Sequence, residues 1–302
     1  MEKITNHEAK LALATKADAA EEILKAQREK RKIMLVFDLA GTLTAKDIPN
    51  IEDWTRYFAA TINSLKEKVQ NLELAIVTNG MPEEVKLLRE SFRKYPSITV
   101  NYFVEGGFLL DRNGETQSER KNYVKQQEEE VRKFFKENHP EAKFVIYADV
   151  TIKIVMQDAS EEYLKKVQKE LEDYLKSKGK FQETEKISVN VSNRAIYIQP
   201  EDARKEKTME KIGKDNPNAL IIYGGDDRAD LPAIQSKWVR MIYLPANATE
   251  DLKKGIAELQ QQDQKIVVQA KGKAIEGIAA DLLQAIEDLI DLKKHYEDIK
   301  RH

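Results

Sequence analysis

The chain contains no cysteine. Disulfides, thiolate nucleophiles and Cys-ligated metals are excluded at once. Histidine is scarce: His7, His139, His295 and His302 are the only four in 302 residues. Three lie in charged terminal segments and one precedes a proline, none of them beside a candidate nucleophile. Serine-hydrolase chemistry and a His-rich zinc centre therefore find no support, and any catalysis must rest on carboxylates, lysines and hydroxyls. No apolar run approaches the roughly 20 residues that a membrane-spanning helix needs. The N-terminal stretch "MEKITNHEAKLALATKADAAEE" mixes charges through its apolar positions and lacks a signal-peptide core. Charge of one sign is also missing: the formal net charge is −2, which gives no general pull toward nucleic acid or anionic membrane. These absences set the expectation of a cytoplasmic protein, a monomer or weak homodimer, with no nucleic-acid or membrane partner.

Of the residues present, 41% are hydrophobic and 34% charged, enough to fill a core and solvate a surface over one large domain or two ordinary ones. An apolar stripe from Leu11 to Ala26 predicts a helix over 6–31, ended by cations that suit a helix C-terminus. Short continuous apolar runs follow at 32–37 and 72–77, the pattern of strands covered on both faces. Helical patterns over 51–70 and 82–94 alternate with them, and further strands are predicted at 98–104 and 107–111. The middle differs in character. A charged surface helix from about 118 precedes two strands (143–148 and 152–157), an amphipathic helix (160–178) and two more strands (187–191 and 195–199). The buried-strand rhythm then resumes with a helix at 203–214, strands at 219–224, 239–244 and 265–270, and a terminal helix over 274–300.

This order predicts an α/β protein: a Rossmann-like parallel sheet core with helices on both faces, plus an inserted α+β cap domain. The expected boundaries are an N-terminal helical extension (1–30), a core (31–112 and 200–302) and a cap (113–199). In such sheets ligands sit beyond the carboxyl ends of the strands. Three strand tips carry chemistry there: Asp38 to Thr42 in "FDLAGT", Thr78-Asn79-Gly80, and "GGDDRAD" at 224–230. An Asp after a strand also serves as a turn former or helix cap. Several carboxylates on one sheet edge, however, repel each other unless a cation sits among them. A hard, oxygen-ligated Mg2+ that keeps waters for a phosphate to replace suits them. The Thr78 hydroxyl and the backbone N–H groups after it can hold phosphate oxygens, and a lysine would complete a phosphate site.

"FDLAGTLT", "IVTNG", a downstream lysine and "GGDDRADLPAI" together resemble the four motifs of the haloacid dehalogenase superfamily of phosphohydrolases, over roughly residues 31–112 and 200–290. The insert, entered through "VEGGFLLDRNGE", resembles the C2-type cap of that superfamily. The spacing of the later motifs is most similar to trehalose-6-phosphate phosphatases, with sucrose- and mannosylglycerate-phosphate phosphatases close behind. The resemblance implies a small phosphorylated sugar as substrate. It implies Asp38 as the nucleophile that forms an aspartyl-phosphate, and Thr78 with Asn79 as phosphoryl-binding groups. Lys205 matches the third-motif lysine, with Lys207 as the lesser candidate. Asp226 would ligate Mg2+ with Asp38 and the backbone carbonyl of Ala40, and Asp230 would orient a water or the lysine. Asp227 is either further support or a loop carboxylate.

Ala40 departs from the pattern. The resembled family carries there an Asp that protonates the leaving oxygen and later activates water. Alanine keeps the backbone carbonyl but removes general acid/base help worth about 10²–10⁴-fold. Three readings follow: a phosphatase impaired by an engineered or natural substitution at position 40, a natural variant that binds a phosphorylated metabolite without turnover, or a C–P hydrolase like phosphonoacetaldehyde hydrolase, whose motif is Asp-x-Ala-Gly-Thr. The last needs a helical cap immediately after the first motif, and about 35 residues between the first two motifs leave no room for it. Within the trehalose-phosphate group, Tyr197 stands where a sugar-gripping Glu is usual, and "TNG" replaces "SGR". A partner-docking role for the N-terminal helix (6–31) or the C-terminal helix (274–300) is a further alternative to packing on the chain's own core.

Overall fold

The computed structural model describes residues 10–44, 50–69, 71–80, 82–104, 107–110, 116–117, 123–147, 151–179, 185–190, 194–200, 203–263 and 265–275. Among them, in chain order, are α1 (Lys16–Arg28), β1 (Ile33–Phe37), α2 (Ile51–Lys68), β2 (Leu72–Val77), a 3₁₀ turn (Pro82–Val85), α3 (Lys86–Phe92), β3 (Val100–Val104), β4 (Phe108–Leu110) and β5 (Thr116–Gln117). Then follow α4 (Tyr123–Asn138), β6 (Lys143–Tyr147), β7 (Thr151–Val155), α5 (Glu161–Ser177), β8 (Glu185–Asn190), β9 (Ala195–Pro200), α6 (Lys205–Asp215) and β10 (Leu220–Gly224). A short α7 (Leu231–Ile234), β11 (Val239–Leu244), α8 (Glu250–Gln260) and β12 (Ile266–Gln269) complete the described elements.

The main sheet has the order β12-β11-β10-β1-β2-β3-β4-β5, with the six strands from β12 to β3 parallel. β4 and β5 add an antiparallel edge. β1 lies at the centre, its five residues all buried, because an apolar strand between two others is covered on both faces. It runs in register with both neighbours, Phe37 facing Gly224 on β10 and Ile76 on β2. Sequential strands leave β1 in one direction, and the later strands return on its other side. The crevice between the tips of β1 and β10 is therefore the topological switch point, where parallel sheets place ligands.

Contacts divide the chain into two compact units, Met1–Thr78 with Glu84–Tyr102 and Lys205–His302, and Asn79–Glu83 with Phe103–Arg204. The second unit holds the antiparallel sheet β6-β7-β9-β8. Leu164, Val167, Leu171 and Leu175 of α5 recur at helical spacing and pack with Val131, Phe134 and Phe135 of α4 over Ile152, Ile154, Ile196 and Ile198. Ser160 caps α5 by accepting from the Tyr163 N–H at 3.2 Å.

Three sequence expectations change. The first helix begins at Lys16 rather than residue 6 among the described residues, because Thr15 and Asp18 close a capping box there. The preceding segment is used differently: Ala14 N–H donates to the Val267 carbonyl at 2.8 Å, and the Gln260 amide bonds both the N–H and the carbonyl of Ala12 at 3.0 Å. That segment lies along β12, the edge strand. α1 itself buries Ala19, Ala20, Ile23, Leu24 and Ala26 on its own unit. Second, α8 stands where the sequence reading assigned no helix. Its apolar stripe is short, Leu252, Ile256 and Ala257, and Thr249 starts it by accepting from Leu252 N–H. Third, the helix expected over 82–94 opens as the 3₁₀ turn at Pro82. The terminal helix expected over 274–300 falls, beyond residue 275, outside the described residues. Among the described residues no helix is long and apolar enough to cross a membrane.

Candidate active site

The site is built from the ends of β1 and β10 and the loop after β11. Asp38 directly follows β1, and its N–H donates to the Gly224 carbonyl at 2.9 Å, tying the two strand tips together. Leu39 and Leu43 are buried and anchor the next loop, while Ala40 between them is exposed. The Leu43 and Thr44 N–H groups both return to the Leu39 carbonyl, at 2.9 and 2.7 Å, and Gly41 N–H bonds the Thr44 carbonyl. Closing so tight a loop puts Gly41 at φ +80°, and a Cβ there would lie 2.1 Å from Asp226 Oδ2. Glycine at 41 is thus required twice, by the turn and by the carboxylate against it. Thr42 holds the other Asp226 oxygen, donating from Oγ1 to Oδ1 at 2.8 Å.

Asp230 organises the rest. It is fully buried, and both of its oxygens are saturated. Oδ1 accepts from Lys205 Nζ and from Tyr223 Oη, each at 2.8 Å. Oδ2 accepts from the backbone N–H groups of Asp226 and Asp227 at 3.1 and 3.4 Å. Gly225 makes room for it, since a Cβ there would lie 2.6 Å from Asp230 Cγ. Lys205, at the start of α6, reaches across with its Nζ 2.7 Å from Asp38 Oδ1 as well. The buried lysine therefore bridges two buried carboxylates.

Burial works against the Lys205 ammonium, but Asp230 and Asp38 outweigh it and hold its pKa above the ordinary lysine value. Burial pushes the Asp38 carboxyl well up, with Lys205 pulling against and the Asp230 and Asp226 charges adding to the rise. Asp226 is pushed up to about 7, chiefly by burial, although Thr42 opposes the shift. Burial, then Asp230, keeps the Tyr223 phenol protonated and donating. Asp38, Asp226 and Asp230 each bring an oxygen within 4.8 Å of the others, so three carboxylates share one ammonium. The donor set is all oxygen and the charge surplus is negative, which fits a hard divalent cation. Asp38 and Asp226 are the side chains with capacity for it. Asp230, with four donors already bound, supports from behind.

Thr78 follows β2 and is buried, beside the strand that delivers Asp38. Asn79 is exposed and belongs to the second unit by its contacts. Lys207 is exposed and pairs with Glu210 at 3.5 Å, so Lys205 alone of the two candidates meets the carboxylates. Asp227 accepts from Ala229 N–H at 2.7 Å and starts the turn that carries Asp230. Tyr197 is buried in β9 of the second unit, with Lys153 Nζ 5.6 Å from its ring centroid.

Sequence reasoning missed three contributors. In the sequence Thr42 stands only as part of a strand tip. Tyr223 sits inside an apolar run, where a phenol must find a partner for its hydroxyl; that requirement was the available signal. Asn247, in the loop after β11, donates to the Gly41 carbonyl at 2.8 Å and accepts from Ala274 N–H at 2.7 Å. Beside it, Thr249 N–H donates to the Asp226 carbonyl at 2.7 Å. This loop clamps the first and fourth motifs together.

No protein-family model and no curated protein matches the sequence. Solved structures do match its fold. A trehalose-6-phosphate phosphatase from Aspergillus fumigatus superposes with a TM-score of 0.59 at 13% identity, over 92% of this chain and 98% of that one. A Thermoplasma acidophilum protein gives 0.56 at 17% identity, over 85% and 99%. A haloacid dehalogenase-like hydrolase from Bacteroides thetaiotaomicron gives 0.56 at 15%, over 84% and 99%. Together with the sheet order, these likenesses show that the chain has the haloacid dehalogenase-like hydrolase fold.

Proposed function

We propose that this protein is a magnesium-dependent phosphohydrolase whose nucleophile is Asp38 and whose ligand is a small phosphorylated sugar. The observation that carries the reading is Lys205 Nζ between Asp38 at 2.7 Å and Asp230 at 2.8 Å, inside a three-carboxylate cluster at the switch point of the sheet. Asp38 attacks phosphorus, the bond to the leaving oxygen breaks, and an aspartyl-phosphate forms. Lys205 opposes the burial that raises the Asp38 carboxyl, favouring its anion, and faces the charge that develops on the phosphoryl oxygens. Thr78 and the Asn79 backbone bind those oxygens. Asp38, Asp226 and the Ala40 carbonyl would hold Mg2+, which when bound supplies charge neutralisation for the approach of a phosphate to a carboxylate. Asp230 positions Lys205 and the 226–227 backbone.

The sugar class is supported by the fold shared with the Aspergillus fumigatus phosphatase and by a polar insert suited to a hydrophilic leaving group. The segment 113–199 is read as the part that selects that group. Alanine at 40 leaves the phosphoryl site intact and slows turnover. A phosphate-release screen over sugar phosphates, with and without magnesium, tests the reading on the chain and on Ala40→Asp. Strong magnesium-dependent release by Ala40→Asp, abolished by adding Asp38→Asn, is the expected result. Magnesium-dependent ligand binding with no turnover in Ala40→Asp would instead establish the second reading, a phosphometabolite-binding protein, which the exposed Ala40 favours.

A further inference from the structure

We infer that Asn247 is a positioning residue for the cation site. It fixes the Gly41 turn, which links the Ala40 carbonyl to the residues that hold Asp226, and it ties that turn to the chain leaving β12. The inference rests on the reading of Asp38, Asp226 and the Ala40 carbonyl as Mg2+ ligands. It deepens that reading by naming what holds two of the three in register.

Gly41 stands between the two groups concerned. Before it comes the Ala40 carbonyl; after it comes Thr42, whose Oγ1 donates to Asp226 Oδ1 at 2.8 Å. The two backbone angles of Gly41 set how these neighbours face each other. Glycine, without a Cβ, restricts its own backbone less than any other residue. Its φ of +80° and the Asp226 carboxylate against it leave no room for a stiffer one. The restraint must therefore come from outside the residue. Gly41 N–H on the Thr44 carbonyl holds the peptide before it. Asn247 holds the peptide after it, its Nδ2 donating to the Gly41 carbonyl at 2.8 Å.

Asn247 can do this because its own amide is fixed. Oδ1 accepts from Ala274 N–H at 2.7 Å. One partner is a carbonyl and the other an N–H, so the amide has a single orientation that satisfies both, donor end to Gly41 and acceptor end to Ala274. The backbone around it is braced as well. Ala248 N–H donates to the Pro245 carbonyl at 3.0 Å, Ala246 N–H to the Gly272 carbonyl at 2.9 Å, and Ala270 N–H to the Leu244 carbonyl at 2.7 Å. Ala270, Ala274 and Ile275 are buried, which anchors the chain behind the loop. Two residues past Asn247, Thr249 N–H donates to the Asp226 carbonyl at 2.7 Å. One braced loop thus grips Gly41 through a side chain and Asp226 through the backbone. The position of residues 270–275 passes to the site through Asn247.

Calorimetric titration of the full chain with Mg2+, beside Asn247→Leu and Asn247→Asp, tests this. Leucine is close to asparagine in size and makes neither bond. Losing an outer hydrogen-bond partner of a metal site costs about 10–100-fold in affinity, and that weakening is expected for Asn247→Leu. Asn247→Asp keeps an acceptor for Ala274 N–H but sets a carboxylate oxygen against the Gly41 carbonyl. It should weaken Mg2+ too, although its added negative charge alone would tighten a cation. Gln260→Leu is the control. That amide clamps the backbone of Ala12 and Lys265 in the same manner, and its loss should lower Tm with Mg2+ affinity unchanged. Wild-type affinity in a folded Asn247→Leu chain would overturn the inference, as would equal weakening by Gln260→Leu. Tighter binding by Asn247→Asp would also overturn it, and that variant decides alone if the leucine chain does not fold. Failure of the unsubstituted chain to take up Mg2+ would refute the metal reading itself and the inference with it.

Discussion

Lys205 and Asp38 form a buried ion pair, Nζ to Oδ1 at 2.7 Å, with each side chain only 6% exposed. The same Nζ meets Asp230 at 2.8 Å. Removing one member of a buried pair strands the other charge, at a cost of about 3–5 kcal/mol. Lys205→Met should therefore lower stability by that order in urea denaturation, and an added divalent cation should recover part of it by replacing the lost positive charge.

Gly41 should tolerate no side chain. Gly41→Ala would place Cβ 2.1 Å from Asp226 Oδ2 at φ +80°. Backbone strain alone should cost more than about 1 kcal/mol. The displaced Asp226 should also weaken magnesium binding by at least about tenfold, the equivalent of about 1.4 kcal/mol. Calorimetric titration of the metal checks it.

Stability should depend on pH through Asp226. Its carboxyl is pushed from 3.8 to about 7 in the folded chain. Between those values the folded state binds more protons than the unfolded one, so stability falls as pH rises. The contribution is full below pH 3.8 and lost as pH passes about 7. A bound cation replaces the proton. The rise in Tm caused by magnesium should therefore grow from pH 5 to pH 8, and Asp226→Asn should flatten both trends. A magnesium effect equal at the two pH values would contradict the assignment.

Ile23→Ala separates the two readings of the first helix. Ile23 is 8% exposed on α1, and truncating a buried Ile costs about 2–5 kcal/mol. A Tm drop without any change in mass in solution is expected if α1 serves its own core. A change of oligomeric state at unaltered Tm would support docking.

Much of this molecule was legible in the sequence because its signals are local. "KIMLVF" and "LELAIV" are apolar without a break, and only a doubly covered strand accommodates that; both became strands beside each other in a parallel sheet. Residues just past such strands must then lie on one sheet edge, which is why Asp38, Thr78 and the 224–230 stretch could be named. The helix start is not legible in the same way, because a stripe of alanines and leucines does not mark a beginning. The Thr15–Asp18 box does; before it, Ala14 bonds across to Val267 of β12 and Ala12 to the Gln260 side chain of α8.

Strand rhythm alone determined the fold class, and composition narrowed the candidate chemistry to carboxylates, lysines and hydroxyls. Which groups share the work was decided only in three dimensions. Thr42 reaches an aspartate 184 positions away, and Asn247 a carbonyl 206 positions away. Both oxygens of Asp230 are taken because four donors converge on it from α6, β10 and its own turn. A hydrogen bond is settled by distance and angle within a few tenths of an ångström. Spacing along a chain carries no such information once the chain has crossed the sheet and returned.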